Sequence, residues 1–431
     1  MTSPRTTVTF TGGLRTPSGT RFQVGAAGWR ACFDLGLAFT PATNYFDGRV
    51  ESRTDRRLAD LIALGLAPSI PGLYRADALK ETGVAPGPDP RTALFISHLH
   101  LDHMALLPFV AEGVPVYMSP ASAELLDRLE QAGLGSGVRH AVVPMRPGEA
   151  VRLGELRVTS MPVDHDIPGA VAFLVDTPDG LIVYSGDLRT HGYRQQATQA
   201  FLTAAASLRP RALVIETTRM GEEPGPTLSE AEVFEELVLA TAEASGLVLA
   251  VPYPRNLERL DRLPEVACRA QRRLVVEPAI ARLMGASLPA AAGVYSAEVS
   301  GKETIDAATI RSAPQRFLLQ ISYPRLAELI DLRPPAGSVL LHSDGEPLGR
   351  FDPAHPNLLR WLDRFGIAYR AVGSSGHASP SELVRITAAI APEVIFPVHG
   401  FRPDLLIVPG ARQVLPLLDV AYLLDGSPAP K

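Results

Sequence analysis

The stretch Ser97-His-Leu-His-Leu-Asp-His-Met104 places three of the chain's ten histidines and one aspartate within six consecutive positions. It follows the apolar run Ala93-Leu-Phe-Ile, which reads as a buried strand, and His103 to Val110 reads as the start of a helix. His98 to Asp102 is therefore expected to form a strand-to-helix turn at one edge of a sheet. A lone histidine would read as an ordinary half-buried polar residue, but four donors crowded after an apolar strand read as metal ligands. Imidazole nitrogens and carboxylate oxygens without thiolate suit Zn²⁺, with Mn²⁺ as a substitute. His98 and His100, two apart, can point the same way, while Asp102 and His103 can reach a second ion.

The rest of the chain sets that turn in an α/β context. Before Met220, short strands are expected at Val8 to Phe10, Gln23 to Val24, Ala31 to Asp34, Ala93 to Ser97, Val116 to Met118, Leu156 to Met161, Ala170 to Asp176 and Leu181 to Ser185. Helices are expected near Arg53 to Leu64 and over Ala121 to Ala132, the latter closed by Gly133. After Met220 strands and helices alternate regularly, which predicts a parallel sheet. Thr227-Leu-Ser-Glu230 offers a capping box for a helix reaching about Ser245, followed by a strand at Gly246 to Pro252. A helix over Asn256 to Ala270, with a break or kink at Pro264, precedes strands at Arg273 to Glu277, Phe317 to Ser322 and Ser338 to His342. Ser379-Pro-Ser-Glu382 offers a second capping box, and the strand Glu393 to Val398 ends on His399.

At 431 residues the chain is long enough for two domains, and 46% hydrophobic with 20% charged residues is the composition of a globular protein. A formal net charge of −5 excludes the global basic field of a structural nucleic-acid binder, though not a nuclease, because metal ions supply their own local charge. Cys32 and Cys268 match no zinc spacing and read as buried, reduced thiols. With no long apolar run, no membrane partner is expected, and the cytoplasm is the expected location.

The turn at His98 to His103 resembles the signature of the metallo-β-lactamase superfamily, and the resemblance continues in order. Phe33-Asp-Leu-Gly36 is similar to that fold's early Asp-x-Gly, Pro162-Val-Asp-His165 supplies a third histidine, and Tyr184-Ser-Gly-Asp187 supplies a carboxylate at a strand end. Downstream, Leu213-Val-Ile-Glu216, Ser374-Ser-Gly-His377 and Phe396-Pro-Val-His399 resemble the three motifs of the β-CASP nucleases, closest in pattern to the ribonuclease J branch. The resemblance implies a metallo-β-lactamase αββα sandwich with an inserted β-CASP α/β domain. Residues 1–218 and 373–431 would form the sandwich, and 219–372 the insert.

It also implies roles. His98, His100, His165 and Asp187 would hold one ion, and Asp102, His103, Asp187 and His399 the other, with two Zn²⁺ or Mn²⁺ activating water for in-line attack on phosphorus. Asp102 is also placed among the catalytic residues, with His377 as general acid oriented by Glu216. Ser375 and Ser379 would add hydroxyls to a phosphate near the helix that starts at Pro380; plain helix capping is the competing role for them. The implied substrate is single-stranded nucleic acid, RNA ahead of DNA, and a homodimer is compatible with the family. Gly373 stands where ribonuclease J proteins usually carry a histidine of their terminal-phosphate pocket. A hydrolase of small esters, lactones or thioesters, or a non-catalytic assembly subunit, are the competing functions. Of the remaining histidines, His140, His191, His342 and His355 read as structural or surface residues.

Overall fold

The computed structural model describes residues 5–46, 49–138, 141–223, 225 and 227–430; His140 lies outside them. Its first sheet is pinned by aromatics. Strands Thr7–Gly12, Arg21–Ala26, Trp29–Phe33, Thr92–Phe95 and Val116–Met118 each turn one aromatic toward the same face. Phe10 lies opposite Phe22, Phe22 opposite Phe33, Phe33 opposite Phe95 and Phe95 opposite Tyr117. The rings stack along this ladder at centroid separations of 5.6, 5.0, 5.5 and 5.1 Å. A slip of one residue would throw every ring to the opposite face, so the ladder fixes the register.

Two short strands, Ala421–Tyr422 and Val143–Pro144, complete this seven-stranded sheet at its edges. The second sheet runs in the order Arg412–Gln413, Val394–Val398, Ala212–Glu216, Gly180–Tyr184, Val171–Thr177, Leu156–Pro162, Ala150–Leu153. It closes over the ladder, with Phe33 against Phe173 at 5.4 Å, Phe22 edge-on to Tyr184 at 4.9 Å and Phe10 against Phe396 at 5.3 Å. Helix Pro120–Ala132 and the paired helices Gln195–Leu208 and Pro380–Ile390 supply outer apolar faces, giving the αββα sandwich. Strands from both sheets end at one edge, so Ser97, Asp187, Glu216 and His399 emerge together.

Strands Ala212–Glu216 and Val394–Val398 are parallel neighbours, yet the chain between them builds a third sheet. Its order is Glu303–Ile305, Gly293–Tyr295, Arg273–Val276, Phe317–Gln320, Val248–Pro252, Val339–Ser343, Ala368–Ala371, with every pairing parallel. Val248–Pro252 is buried at all five positions, as a strand covered on both faces must be. The carboxyl ends of these strands face the edge of the sandwich. Arg255 Nη1 donates to the Leu99 carbonyl at 2.9 Å, and Arg128 Nε donates to the Leu283 carbonyl at 3.1 Å.

Several local expectations are corrected. The capping box after Met220 is Ser229 with Glu232, not Thr227 with Glu230, and the helix covers Glu230–Glu243. Glu230 is unavailable as a cap because its carboxylate is buried between two arginines. Helix Leu257–Arg269 runs without a break past Pro264. Within the histidine motif there is one helical turn, Leu101–Met104, so Asp102 lies inside it rather than before it, and the helix expected to run to Val110 stops at Met104. Pro108, with no N–H to donate and a ring that clashes backward, prevents that turn from growing into a longer helix. Near residue 54 a short 3₁₀ turn leads into helix Arg57–Ala63. Cys32 is buried and its thiol is pushed up to about 11 by burial, but Cys268 is exposed. No helix among the described residues is long and apolar enough to cross a membrane.

Candidate metal centre

The edge of the sandwich gathers six of the chain's ten histidines. Ligand atoms of His98, His100 and His165 lie within 4.8 Å of one another, and so do those of Asp102, His103, Asp187 and His399. Asp187 ties the two groups together: its Oδ2 is 3.7 Å from His98 Nε2, 3.1 Å from His103 Nε2 and 3.5 Å from His399 Nε2. His399 Nε2 is also 2.9 Å from Asp102 Oδ2. Thus the histidine-rich turn, His165, Asp187 and His399, far apart in sequence, converge in space.

The groups behind these side chains dictate which nitrogen carries a proton. Asp34 accepts four hydrogen bonds: from Ser97 N at 2.7 Å, Ser97 Oγ at 2.7 Å, Tyr184 OH at 2.6 Å and His103 Nδ1 at 2.8 Å. His103 therefore holds a proton on Nδ1 and aims Nε2 at Asp187. The single Ser97 hydroxyl proton is spent on Asp34, so at 2.9 Å His98 Nδ1 must be the donor to Ser97 Oγ. That leaves the His98 Nε2 lone pair facing Asp187. His165 Nδ1 faces the Gly376 carbonyl at 2.5 Å and must donate, which leaves Nε2 bare 3.1 Å from His100 Nδ1. His399 Nδ1 sits 2.8 Å from Thr218 Oγ1. Hydrogen bonds of this kind hold a ligating imidazole in one tautomer and orientation.

Charges support the same picture. Burial, reinforced by the neighbouring His103, His165 and His100, holds His98 well below its usual range. Burial likewise pushes His100 down, and His165 down to about 3, giving the neutral imidazoles that a cation requires. Burial opposes ionisation of Asp187, but His399 and His103 outweigh it and keep the carboxyl well below the ordinary carboxylate range. Burial would also lower His103, yet Asp187, Asp102 and Asp34 drive it well above normal, marking a point where positive charge is favoured.

Asp102 is likewise opposed by burial but reaches about 2 under the influence of His103 and His399. His98 Nε2, His100 Nε2 and Asp166 Oδ1 are buried with no hydrogen-bond partner. Orphaned buried atoms of this type are destabilising, typically by about 1–3 kcal/mol each, unless something fills the space between them. The donor set and the bare nitrogens fit divalent cations.

Two features hold this geometry. Gly36 leaves no room for a Cβ, which would overlap the Asp102 carbonyl, so the loop after Asp34 can lie directly under the histidine turn. His399 takes a left-handed backbone conformation with φ 55°, fixed by its N–H bond to the Gly13 carbonyl at 2.7 Å. Such strain in a non-glycine residue persists only where the surroundings over-determine it.

Beside the cluster stands a second pair. Glu216, fully buried at the end of its strand, places Oε1 3.2 Å from His377 Nδ1, which is 3.9 Å from Asp187 Oδ2. The carboxylate itself is held by the N–H groups of Thr218 at 3.0 Å and Leu188 at 3.5 Å. Burial works against a charged His377, but Glu216 and Asp187 overcome it and raise the imidazole to about 9. A protonated group is thus poised at the rim of a metal-type site.

The two serines are less free. Ser379 caps helix Pro380–Ile390 by accepting from Glu382 N, and Ser375 Oγ accepts from His377 N at 3.1 Å. The supporting places of Asp34, Ser97, Tyr184, Thr218 and Asp166 emerge only in the fold. Only Asp34 carried a signal, the Asp-x-Gly after its strand. His191 lies near the pair, with Nε2 2.9 Å from the Ser375 carbonyl, and His342 and His355 are buried in the third-sheet region.

A β-lactamase superfamily domain model matches residues 70–232, a span that holds the histidine turn, His165, Asp187 and Glu216 and stops before His377 and His399. Over that span the chain is similar to the superfamily, and the likeness is to its ribonuclease J-like branch. Ribonuclease J of Mycoplasma genitalium is 23% identical over 72% of this chain and 57% of that protein, and ribonuclease J of Pyrococcus abyssi is 23% identical over 75% of this chain and 78% of that protein. The chain spans less than two thirds of the Mycoplasma relatives' length. A crystal structure of a protein of unknown function from Enterococcus faecalis V583 superposes with a TM-score of 0.82 at 28% identity, covering 97% of this chain and all of that one.

Proposed function

We propose that the protein is a metal-dependent ribonuclease that hydrolyses phosphodiesters of single-stranded RNA in the cytoplasm. In this reading residues 1–218 and 373–431 act as the hydrolytic sandwich and 219–372 as a domain that covers it. His98, His100, His165 and Asp187 would hold one divalent ion, Zn²⁺ or Mn²⁺, and Asp102, His103, Asp187 and His399 a second. Bound there, the ions would activate water and offset phosphate charge.

The observation that carries the reading is the Glu216–His377 pair, 3.2 Å apart beside Asp187. Ester hydrolysis and P–O cleavage both expel an alkoxide that must receive a proton, so the pair marks proton donation to a leaving oxygen, and its place in the β-CASP-like motifs is what favours a sugar alkoxide leaving phosphorus. His377, held protonated by Glu216, is suited to give that proton from Nε2 while Nδ1 stays on the carboxylate. Glu216 is in turn fixed by two backbone N–H groups, so the pair presents one orientation. The resemblance to ribonuclease J supports RNA as the strand. Ser375, whose hydroxyl proton has no acceptor among the described residues, is the better placed of the two serines to contact a phosphate.

The test is cleavage of end-labelled RNA and DNA by the purified chain loaded with Zn²⁺ or Mn²⁺. RNA cleavage that His377→Ala slows, with metal content unchanged, is the expected outcome. A metal-loaded protein that cuts no nucleic acid but opens esters or lactones would replace this reading with the hydrolase one.

A further inference from the structure

We infer that Asp166 is a ligand of the first ion: its Oδ1 joins His98, His100 and His165 as a carboxylate donor in addition to Asp187. The inference rests on the two-ion reading above and adds to it a residue outside the histidine and aspartate pattern legible in the sequence.

Asp166 follows His165 in the turn between strands Leu156–Pro162 and Val171–Thr177. Val163 N donates to the Ala170 carbonyl at 3.1 Å and closes the turn. Arg194 Nη2 donates to the carbonyls on both sides of Asp166, that of His165 at 3.1 Å and that of Ile167 at 2.8 Å. The backbone is thus held in place. The side chain, only 13% exposed, is covered by the segment before His377, where a Cβ on Gly376 would stand 2.5 Å from Asp166 Oδ1.

Held there, Oδ1 lies 3.3 Å from His165 Nε2 and 3.5 Å from His100 Nε2. Neighbouring ligands that each sit about 2.1 Å from one ion are separated by about 3.0–3.6 Å, so both distances suit donors to a shared centre. Hydrogen bonding does not account for them. His165 spends its proton from Nδ1 on the Gly376 carbonyl, so its Nε2 turns a lone pair toward the carboxylate oxygen. His100 Nε2 and Asp166 Oδ1 are both buried, yet neither makes a hydrogen bond, to the other or to any described group.

Ion pairing with a cationic side chain does not account for them either. Among the described residues no arginine or lysine pairs with Asp166, and Arg189 gives Nε to Asp164 and Nη1 to Glu230. A buried carboxylate oxygen set against an imidazole lone pair is destabilising unless a cation lies between them. Asp187 leans the other way, with Oδ2 3.1 Å from His103, 3.5 Å from His399 and 3.7 Å from His98. Asp166 is therefore the carboxylate that closes the His100 and His165 side of the site.

The experiment measures binding of Zn²⁺ and Mn²⁺ to the full chain by competition with a chromophoric chelator, on wild type and Asp166→Ala, with folding checked by circular dichroism. Loss of an outer hydrogen-bonding partner costs about 10–100-fold in metal affinity, so loss of a ligand is expected to weaken one of the two ions by at least about 100-fold and leave the other near its wild-type value. A second variant reads ligation directly. Asp166→Cys loaded with Co²⁺ is expected to show a thiolate-to-cobalt charge-transfer band in the near ultraviolet that wild type lacks, because a thiolate at a ligand position binds the ion.

Two ions held by Asp166→Ala within about tenfold of wild type overturn the inference, being less than even an outer partner costs. So does an Asp166→Cys protein that binds Co²⁺ without the band. If Asp166→Ala does not fold, Asp166→Asn, which keeps the shape and removes the charge, is read in the same way. Wild type that holds no ion defeats the two-ion reading itself, and this inference with it.

Discussion

The sandwich edge and the facing edge of the third sheet are both crowded with buried charge, yet they resolve it differently. Where the third-sheet region meets the sandwich, Arg259 and the sandwich residue Arg189 close on Glu230 at 2.8 and 2.7 Å, Arg189 also meets Asp164 of the sandwich at 3.1 Å, and Arg259 meets Asp344 at 2.9 Å. There each charge has its counter-charge within the protein. At the sandwich edge, four imidazoles are held by Asp34, Ser97, Thr218 and Gly376 so that bare nitrogens converge, and His98 Nε2 and His100 Nε2 are left without partners. The first arrangement is closed and behaves as a clamp. The second is open toward its own centre, which is the mark of a site built for ions.

That contrast is broken or sharpened by substitution. The largest effect is expected at the proton-bearing pair: His377→Ala should lower the single-turnover rate of RNA cleavage by about 10²–10⁴-fold, the usual weight of a general acid, while leaving metal content as it was. Loss of metal together with rate would instead make His377 part of the ion site. Next comes the clamp. Glu230→Ala leaves two buried guanidiniums without their shared carboxylate and is expected to destabilise folding by about 3–5 kcal/mol, read from urea unfolding. A change below about 1 kcal/mol would mean that the ion pairs are replaceable by water.

Smaller, and specific to the open site, Asp34→Asn should weaken metal binding about 10–100-fold through loss of its hold on Ser97 and His103, measured by competition with a chromophoric chelator. Unchanged affinity would show that the imidazoles need no such support. The mildest effect is one of pH. Burial would raise Glu230, but Arg259 and Arg189 hold it below its ordinary value of 4.5. A carboxyl depressed in the folded state stabilises fully above the unfolded value and loses that contribution as pH falls through the folded one. Wild type should therefore lose stability below pH 4.5 faster than Glu230→Gln; parallel curves would contradict it.

The same contrast explains what could be read from sequence. The residues that converge at the sandwich edge each follow an apolar strand, and strands ending in His98, Asp187, Glu216 and His399 announce themselves by composition and spacing. The superfamily pattern then orders them. The groups that hold them were less visible: Ser97 and Thr218 are ordinary residue types, and Tyr184 looks like one more aromatic of a strand.

The clamp was hidden for another reason. Its members, Asp164, Arg189, Glu230, Arg259 and Asp344, are scattered over nearly 200 residues and sit in helices and turns, where a charge normally reads as solvated. Glu230 even mimics a cap in the sequence, because Thr227 and Glu230 have the same spacing as the true pair, Ser229 and Glu232. Helix Gln195–Leu208, rich in alanine, threonine and glutamine, went unread because its apolar face is thin. Cys268 was expected to be buried, but its helix turns that face outward.

The claim on which everything else depends is that the sandwich edge is an ion site. The direct measurement is metal content by inductively coupled plasma mass spectrometry, after loading with Zn²⁺ or Mn²⁺ and removal of free ion, on wild type and Asp187→Ala. The account predicts about two ions per chain in wild type, as in two-metal hydrolases, and a clear loss in the variant, the one side chain shared by both groups of ligands. Wild type that retains no stoichiometric metal, or a variant that retains as much as wild type, would contradict it.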